Sequence, residues 1–268
     1  KNKYVFTSVE SIFKSKSDME KFDMAKKLKR KANSIRERYI LELESDDIIV
    51  KQLASALYFI DKLALRVGGK KDTKGQADTV GVTSLRVEHI TFVDDNKKII
   101  KLDFLGKDSI RYCHKIDVIP SIYNNLKSFT MDKDKKKDLF DKINSKSLNN
   151  YLETFMKGLT AKVWRTYNAS FLFQKELDKI KPEKICSISE NERVNYLLGL
   201  FNMANTKVAL LCNHQKNVPS NISATIEKIN TMIGKLRKTK KKTIERKSKM
   251  DKEEYNKKIN RIDSKILL

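Results

Sequence analysis

Only three prolines and eight glycines interrupt 268 residues, so the chain has few places to stop a regular element and must be assembled mostly from long ones. The spacing of its apolar residues says which kind. From 17 to 40, Phe22, Ala25, Leu28 and Ala32 recur at three and four residues, which predicts a helix with one buried stripe. From Ile48 to Arg66, Leu53, Leu57, Ile60 and Ala64 keep that spacing, with Gly68 placed to stop the helix in a left-handed turn. Residues 69–83 are polar and glycine-punctuated and read as a loop. The period then shortens to two. Leu85, Val87 and His89 alternate with polar neighbours, Asp94-Asp95-Asn96 supplies a turn, and the runs Ile99–Phe104 and Ser109–Ile116 complete a small antiparallel sheet. Gly106-Lys107-Asp108 falls at the turn between the last two strands.

Helical spacing returns at Pro120, and the charge run Lys133–Lys137 reads as a solvated loop between helices. Gly158 stops a helix and Thr160 caps the next, placing Arg165 within two turns of a helix N-terminus, whose dipole and free N–H groups favour an anion. Ser189-Glu190-Asn191-Glu192 reads as a capping box opening a long helix whose apolar face is Val194, Leu197, Leu198, Phe201, Val208 and Leu211, with His214 just past its end. After Pro219 the seam Ile222, Ile226, Ile229, Ile233 and Leu236 follows heptad spacing, is interrupted by the basic tract Lys238–Lys242, and resumes at Tyr255, Ile259, Ile262 and Ile266. The expected organisation is a mainly α domain with a small antiparallel sheet over 1–219, followed by an antiparallel helical hairpin over 220–268.

Composition narrows the partner. Lys and Arg number 57 against 34 Asp and Glu, a net charge of +23, which calls for a polyanion, with nucleic acid the first candidate. No apolar run is long enough for a membrane span. Cys113, Cys186 and Cys212 are scattered and form no CxxC pair, so neither a disulfide framework nor a cysteine zinc site is indicated. There is no GxxxxGK[ST] nucleotide loop. The chain starts at Lys1 without an initiator Met and reads as a fragment.

Five segments carry a specific resemblance: Ala56–Arg66 (ALYFIDKLALR), Ala77–Gly81 (ADTVG), Phe104–Tyr112 (FLGKDSIRY), Leu159–Ser170 (LTAKVWRTYNAS) and Leu211–Gln215 (LCNHQ). Together they resemble the catalytic core of eukaryotic-type type IB DNA topoisomerases, densely over about 1–219, with 220–268 fitting the family's coiled linker by position and pattern. The resemblance implies a tyrosine recombinase/topoisomerase IB fold. The activity implied is relaxation of supercoiled double-stranded DNA through a transient nick and a 3′-phosphotyrosyl intermediate, with neither ATP nor a required metal. It also implies a monomeric enzyme of the nucleus, with no membrane or cofactor requirement.

The catalytic set it implies is Arg66, Lys107, Arg165 and His214, plus a tyrosine in a Ser-Lys-x-x-Tyr segment. This chain ends Ser264-Lys265-Ile266-Leu267-Leu268, with leucine in the tyrosine register. The expectation is therefore a core and linker without the N-terminal clamp or the tyrosine-bearing segment, and inactive alone. Asp108 matches the aspartate that borders the cleavage site and the camptothecin pocket, and Asn168 is expected near the phosphate-facing arginine. Gly69 departs from the asparagine common there in the animal enzymes. Tyr58, Tyr112 and Tyr167 read as packing residues, His89 and His114 as strand histidines, and Trp164 with Phe171–Phe173 as core beside Arg165. Two other readings remain: a tyrosine recombinase, and a DNA-binding module without catalysis. A lysine-rich hairpin after His214 weighs against the recombinase.

Overall fold

The computed structural model describes residues 8, 11–69, 77–186, 188–214, 222–245 and 251–267. The fold is mainly α with one small antiparallel sheet. The chain divides into two units, 1–215 and 216–268; the expected boundary at 219/220 lies outside the described residues.

In the first unit, α1 (Ile12–Glu42) buries Ala25, Leu28, Ala32, Ile35 and Tyr39, whereas Phe22 of the expected stripe is half exposed because the burial begins one turn later. Helix α2 (Ile48–Leu63) opens on Asp47, whose carboxylate accepts from Ile49 N–H. Every residue from Gln52 to Asp61 is buried, so α2 is the central helix. Its end corrects the sequence reading. The left-handed stop is Ala64 (φ 48°, ψ 33°), not Gly68, and Arg66 sits on an irregular segment beyond the helix.

Gly68 (φ +81°) has a different task. Its backbone lies against Gly81, where an added Cβ would stand 2.5 Å from Gly68 N and 2.6 Å from Arg66 O. That contact lets Val82 N–H reach Arg66 O and Thr83 N–H reach Val67 O, both at 2.8 Å. Of the expected loop 69–83, residues 70–76 lie outside the described residues.

The sheet has order β1-β2-β3, with β1 Ile90–Asp94, β2 Ile99–Leu105 and β3 Arg111–Asp117, all antiparallel. Leu85, Val87 and His89 are not strand residues, as their alternation suggested. Val87–His89 forms a 3-10 turn in which the His89 ring accepts from Arg86 N–H at 3.0 Å. The run 133–137 is a loop with residues 134–137 exposed, as expected, and it is anchored by Val87 N–H and Glu88 N–H, which donate to Lys137 O and Lys135 O.

Helices α3 (Pro120–Thr130) and α4 (Ser145–Phe155) lead to α5 (Ala161–Leu177), short α6 (Pro182–Cys186) and α7 (Glu190–Leu211). Leu126, Phe129, Leu148, Leu152 and Trp164 complete a core continuous with α1 and α2. Phe171 lies outside it, half exposed, and Phe173 packs edge-on to Phe201. The apolar face predicted for α7 is not buried either: Val194, Leu197, Leu198 and Phe201 are exposed. At its start Ser189 Oγ bonds the Glu192 carboxylate rather than a backbone N–H, so the expected capping box is not formed.

The second unit pairs α8 (Ile222–Glu245) with α9 (Lys252–Leu267). The basic tract 238–242 interrupts the apolar seam, as expected, but not the helix: it continues α8 by another turn and a half. Ile262 and Thr243 are buried there, and Lys240 pairs with Asp263 at 2.5 Å. Residues 246–250, between the two helices, lie outside the described residues, as does Leu268. No helix among the described residues is long and apolar enough to cross a membrane.

Candidate active site

Four stretches far apart in sequence deliver Arg66, Lys107, Arg165 and His214 to one cleft of about 370 Å³ in the first unit. Each arrives by a local device that its own residues dictate. Arg66 is exposed, on the segment pinned by Val82 and Thr83. Val80 N–H also donates to Leu105 O at 2.8 Å, so the Ala77–Gly81 segment ties Arg66 to the strand that leads to Lys107. Asp78 in turn is clamped by both terminal nitrogens of Arg86, at 2.7 and 3.1 Å.

Lys107 rides the tip between β2 and β3, which closes with Gly106 N–H on Ile110 O. Asp108 and Ser109 are both left-handed (φ 62° and 58°), an unusual state for two successive residues that are not glycine. Lys107 Nζ is 4.0 Å from the exposed Asp108 carboxylate, and Asp108 lines the same cleft.

Arg165 projects from the second turn of α5. Thr160 caps this helix, accepting from Val163 N–H at 3.3 Å, and the Asn149 side chain accepts from Ala161 N–H at 3.0 Å. Two of the N–H groups that could have met an anion are thus already occupied, and the charge near this helix start comes from Arg165 itself. Arg165 Nη2 donates to Cys212 O at 2.8 Å and lies 3.5 Å from His214 Nε2, while its buried Nε has no partner among the described residues. Burial lowers the Arg165 pKa and nearby Arg66 adds to that; a guanidinium nevertheless stays charged.

His214 is held by the stop of α7. Asn213 takes the left-handed position (φ 50°), Asn213 N–H bonds Leu210 O at 3.1 Å, and His214 N–H bonds Ala209 O at 2.8 Å, the paired bonds of a Schellman ending. Desolvation lowers the His214 pKa below its ordinary 6.5, and the Arg165, Arg66 and Lys107 charges push it further down. The imidazole is therefore neutral at pH 7 and can bond without carrying charge. Apart from Asp108 no carboxylate lines the cleft among the described residues, so it is a concave, cationic surface suited to a phosphate diester.

A family model described as eukaryotic DNA topoisomerase I, catalytic core, matches residues 10–249. The chain is 43% identical over 253 residues to DNA topoisomerase 1 of Caenorhabditis elegans, covering 91% of this chain and 30% of that protein. It is 41% identical over 234 residues to DNA topoisomerase 1 of Homo sapiens, covering 86% and 30%. Mitochondrial DNA topoisomerase I of Rattus norvegicus is 42% identical over 234 residues, covering 86% and 38%. The chain belongs to the eukaryotic DNA topoisomerase I catalytic-core family. It spans about a third of the length of these relatives.

Not every residue singled out in this topoisomerase core reaches the cleft. Asn168, expected beside the phosphate-facing arginine, is buried, and its amide donates to Ile60 O and Asp61 O at 3.1 and 2.8 Å. Its partners are protein backbone, because one turn beyond Trp164 it faces α2 and not the opening. Tyr112 lines the cleft but stacks on Phe104, and burial pushes its phenol up to about 12. Tyr58 and Tyr167 are buried. His89 is buried and His114 exposed.

Sequence reasoning missed Asp61. Its side chain is wholly buried and accepts from Arg36 Nε and Nη2, Tyr39 OH and Trp164 Nε1 at 2.7–3.0 Å. Burial alone would raise its pKa, but the Arg36 bonds and charge, with Trp164 and Tyr39, outweigh that and hold it below the ordinary value. A lone aspartate on the buried face of an apolar helix was the available signal.

Proposed function

We propose that the first unit is the phosphate-activating part of a type IB DNA topoisomerase that relaxes supercoiled double-stranded DNA by nicking one strand. The observation that carries this is the convergence of Arg66, Lys107, Arg165 and His214 on one cleft, in a chain whose relatives are named DNA topoisomerase. A tyrosine supplied from outside residues 1–268 gives up its phenolic proton to solvent and attacks the phosphorus; its O–P bond forms as the P–O5′ bond breaks, and the 3′ end is held as a phosphotyrosyl ester. The ester's energy is kept in that bond, so resealing needs no ATP.

Negative charge builds on the non-bridging oxygens during both steps. Arg66 and Arg165 meet it with forked donors, and neutral His214 adds a hydrogen bond to one oxygen. Lys107 hands a proton to the leaving O5′ and takes it back on resealing. Asp108 borders the cleavage site. The second unit is the linker that leads to the tyrosine-bearing segment. Net charge of +23 spread over many Lys and Arg supports binding through phosphates with little sequence preference. The enzyme acts as a monomer in the nucleus, although one relative is named mitochondrial.

The decisive experiment is on the full-length protein containing this chain. Lys107→Ala should slow cleavage of ordinary DNA by about 10²-fold or more. A substrate with a 5′-bridging sulfur, whose thiolate leaves without a proton, should be cleaved nearly as fast by the variant as by the parent. Failure of that rescue would remove the acid role from Lys107, and failure of the parent to relax DNA would remove the whole reading.

A further inference from the structure

We propose that Asp61 is a positioning residue that sets Arg165 against Arg66, an assignment that rests on the reading of the cleft above. Asp61 lies in the last turn of α2, and both of its oxygens are filled. Oδ1 accepts from Arg36 Nη2 and Trp164 Nε1, at 2.7 and 3.0 Å; Oδ2 accepts from Arg36 Nε and Tyr39 OH, at 2.9 and 2.8 Å. Its main-chain oxygen accepts from Asn168 at 2.8 Å. One residue thus joins α1, through Arg36 and Tyr39, to α5, through Trp164 and Asn168.

The two α5 contacts stand four residues apart, on one face of that helix, and Arg165 follows Trp164 by a single residue. A slide or roll of α5 along α2 would therefore break the Trp164 or Asn168 bonds before carrying Arg165 away. On the other side, Arg66 follows Asp61 by five residues, through the left-handed Ala64 and the segment pinned by Val82 and Thr83. Neither Asp61 nor Arg36 lines the cleft. Their effect on chemistry passes through the two arginines, whose fork is sensitive to displacements of a fraction of an ångström.

Because Asp61→Asn would turn an amide toward donors and endanger folding, the test approaches from both sides with milder changes. Trp164→Phe removes one donor and keeps a ring; Arg36→Lys keeps the charge and loses the fork. In the full-length protein each should slow single-turnover cleavage about tenfold, with duplex affinity unchanged within about twofold. In an Arg165→Ala background Trp164→Phe should cost nothing further, whereas in Lys107→Ala its full tenfold effect should remain. Equal losses in both backgrounds would overturn the assignment and leave an ordinary structural ion pair. A second readout does not depend on catalysis: amide exchange across 161–168 should quicken in both variants while α3 and α4 are unchanged. Unaltered exchange there overturns the proposal even if the protein cleaves no DNA, and a parent that cleaves nothing counts against the reading of the cleft alone.

Discussion

The two units are both mainly helical, yet they are held in different ways. The first buries α2 on every side and ties distant segments together through polar contacts that leave little play, such as Gln52 with Asp141 and Lys142 N–H, or Asn125 with Leu43 O. The second is a pair of helices in which, among the described residues, Ile262 and Thr243 are buried while Ile226, Ile229, Met232 and Ile244 are exposed. A cleft that must hold two guanidinium groups and an imidazole in register needs contacts of high sequence separation. A hairpin of one seam can supply charge and reach, but not that precision.

The widest gap between the units should appear in cleavage. In the full-length protein, Arg66→Ala and Arg165→Ala should each reduce single-turnover cleavage by about 10²–10³-fold, as loss of a charge-stabilising donor does elsewhere, with duplex affinity changed only a few-fold. Replacing 238–250 by a short turn should leave cleavage within about twofold but flatten the salt dependence of binding, because seven Lys and Arg go with it. A truncation that abolished cleavage would erase the distinction.

Backbone chemistry offers a second contrast. Gly81→Ala places a methyl 2.5 Å from Gly68 N, where nothing can yield, and should destabilise the first unit by about 2 kcal/mol in denaturant unfolding. Gly234→Ala in α8 meets nothing within 4 Å and should stabilise its helix by about 0.5–1 kcal/mol, read from slower amide exchange. If both substitutions were neutral, the close glycine pairing would not be what fixes the Arg66 segment.

The smallest effect is titration of His214. Its folded pKa is depressed below 6.5, so the unfolded chain binds the proton more readily. The associated stability is complete above that value and is lost as pH falls through the folded pKa. An imidazole resonance followed by NMR should show a midpoint below 6.5 that rises in Lys107→Ala, where one repelling charge is gone. A midpoint that stayed put would mean that the Lys107 charge does not reach the ring, leaving desolvation and the two arginines to set its pKa.

Long helices, the β2–β3 pair, the Thr160 cap and the grouping of the four site residues were legible in the sequence, because each rests on local spacing or on a dense motif. The end of α2 was not: an alanine at the left-handed position gives no signal, and Gly68, the obvious stop, is used for a close approach to Gly81 instead. Periodicity identified α7 as a helix but could not say that Val194, Leu197 and Phe201 would face outward, since a stripe reports amphipathicity and not what covers it. Asp61 was hidden for another reason. Its partners lie 22, 25 and 103 residues away, and no pattern within a helix turn anticipates a bond across that distance.

The convergence of Arg66, Lys107, Arg165 and a neutral imidazole, with Asp108 the one carboxylate lining the cleft among the described residues, has a thermodynamic corollary. Like charges held together cost folding energy that any anion seated among them relieves, and a ligand bound only by the folded form stabilises it by mass action. Sulfate, phosphate or heparin in a buffer should therefore act on this protein as partial ligands. Melting temperatures taken in such solutions would measure occupancy of the cleft together with the strength of the fold, and comparisons between variants hold only at matched anion concentration.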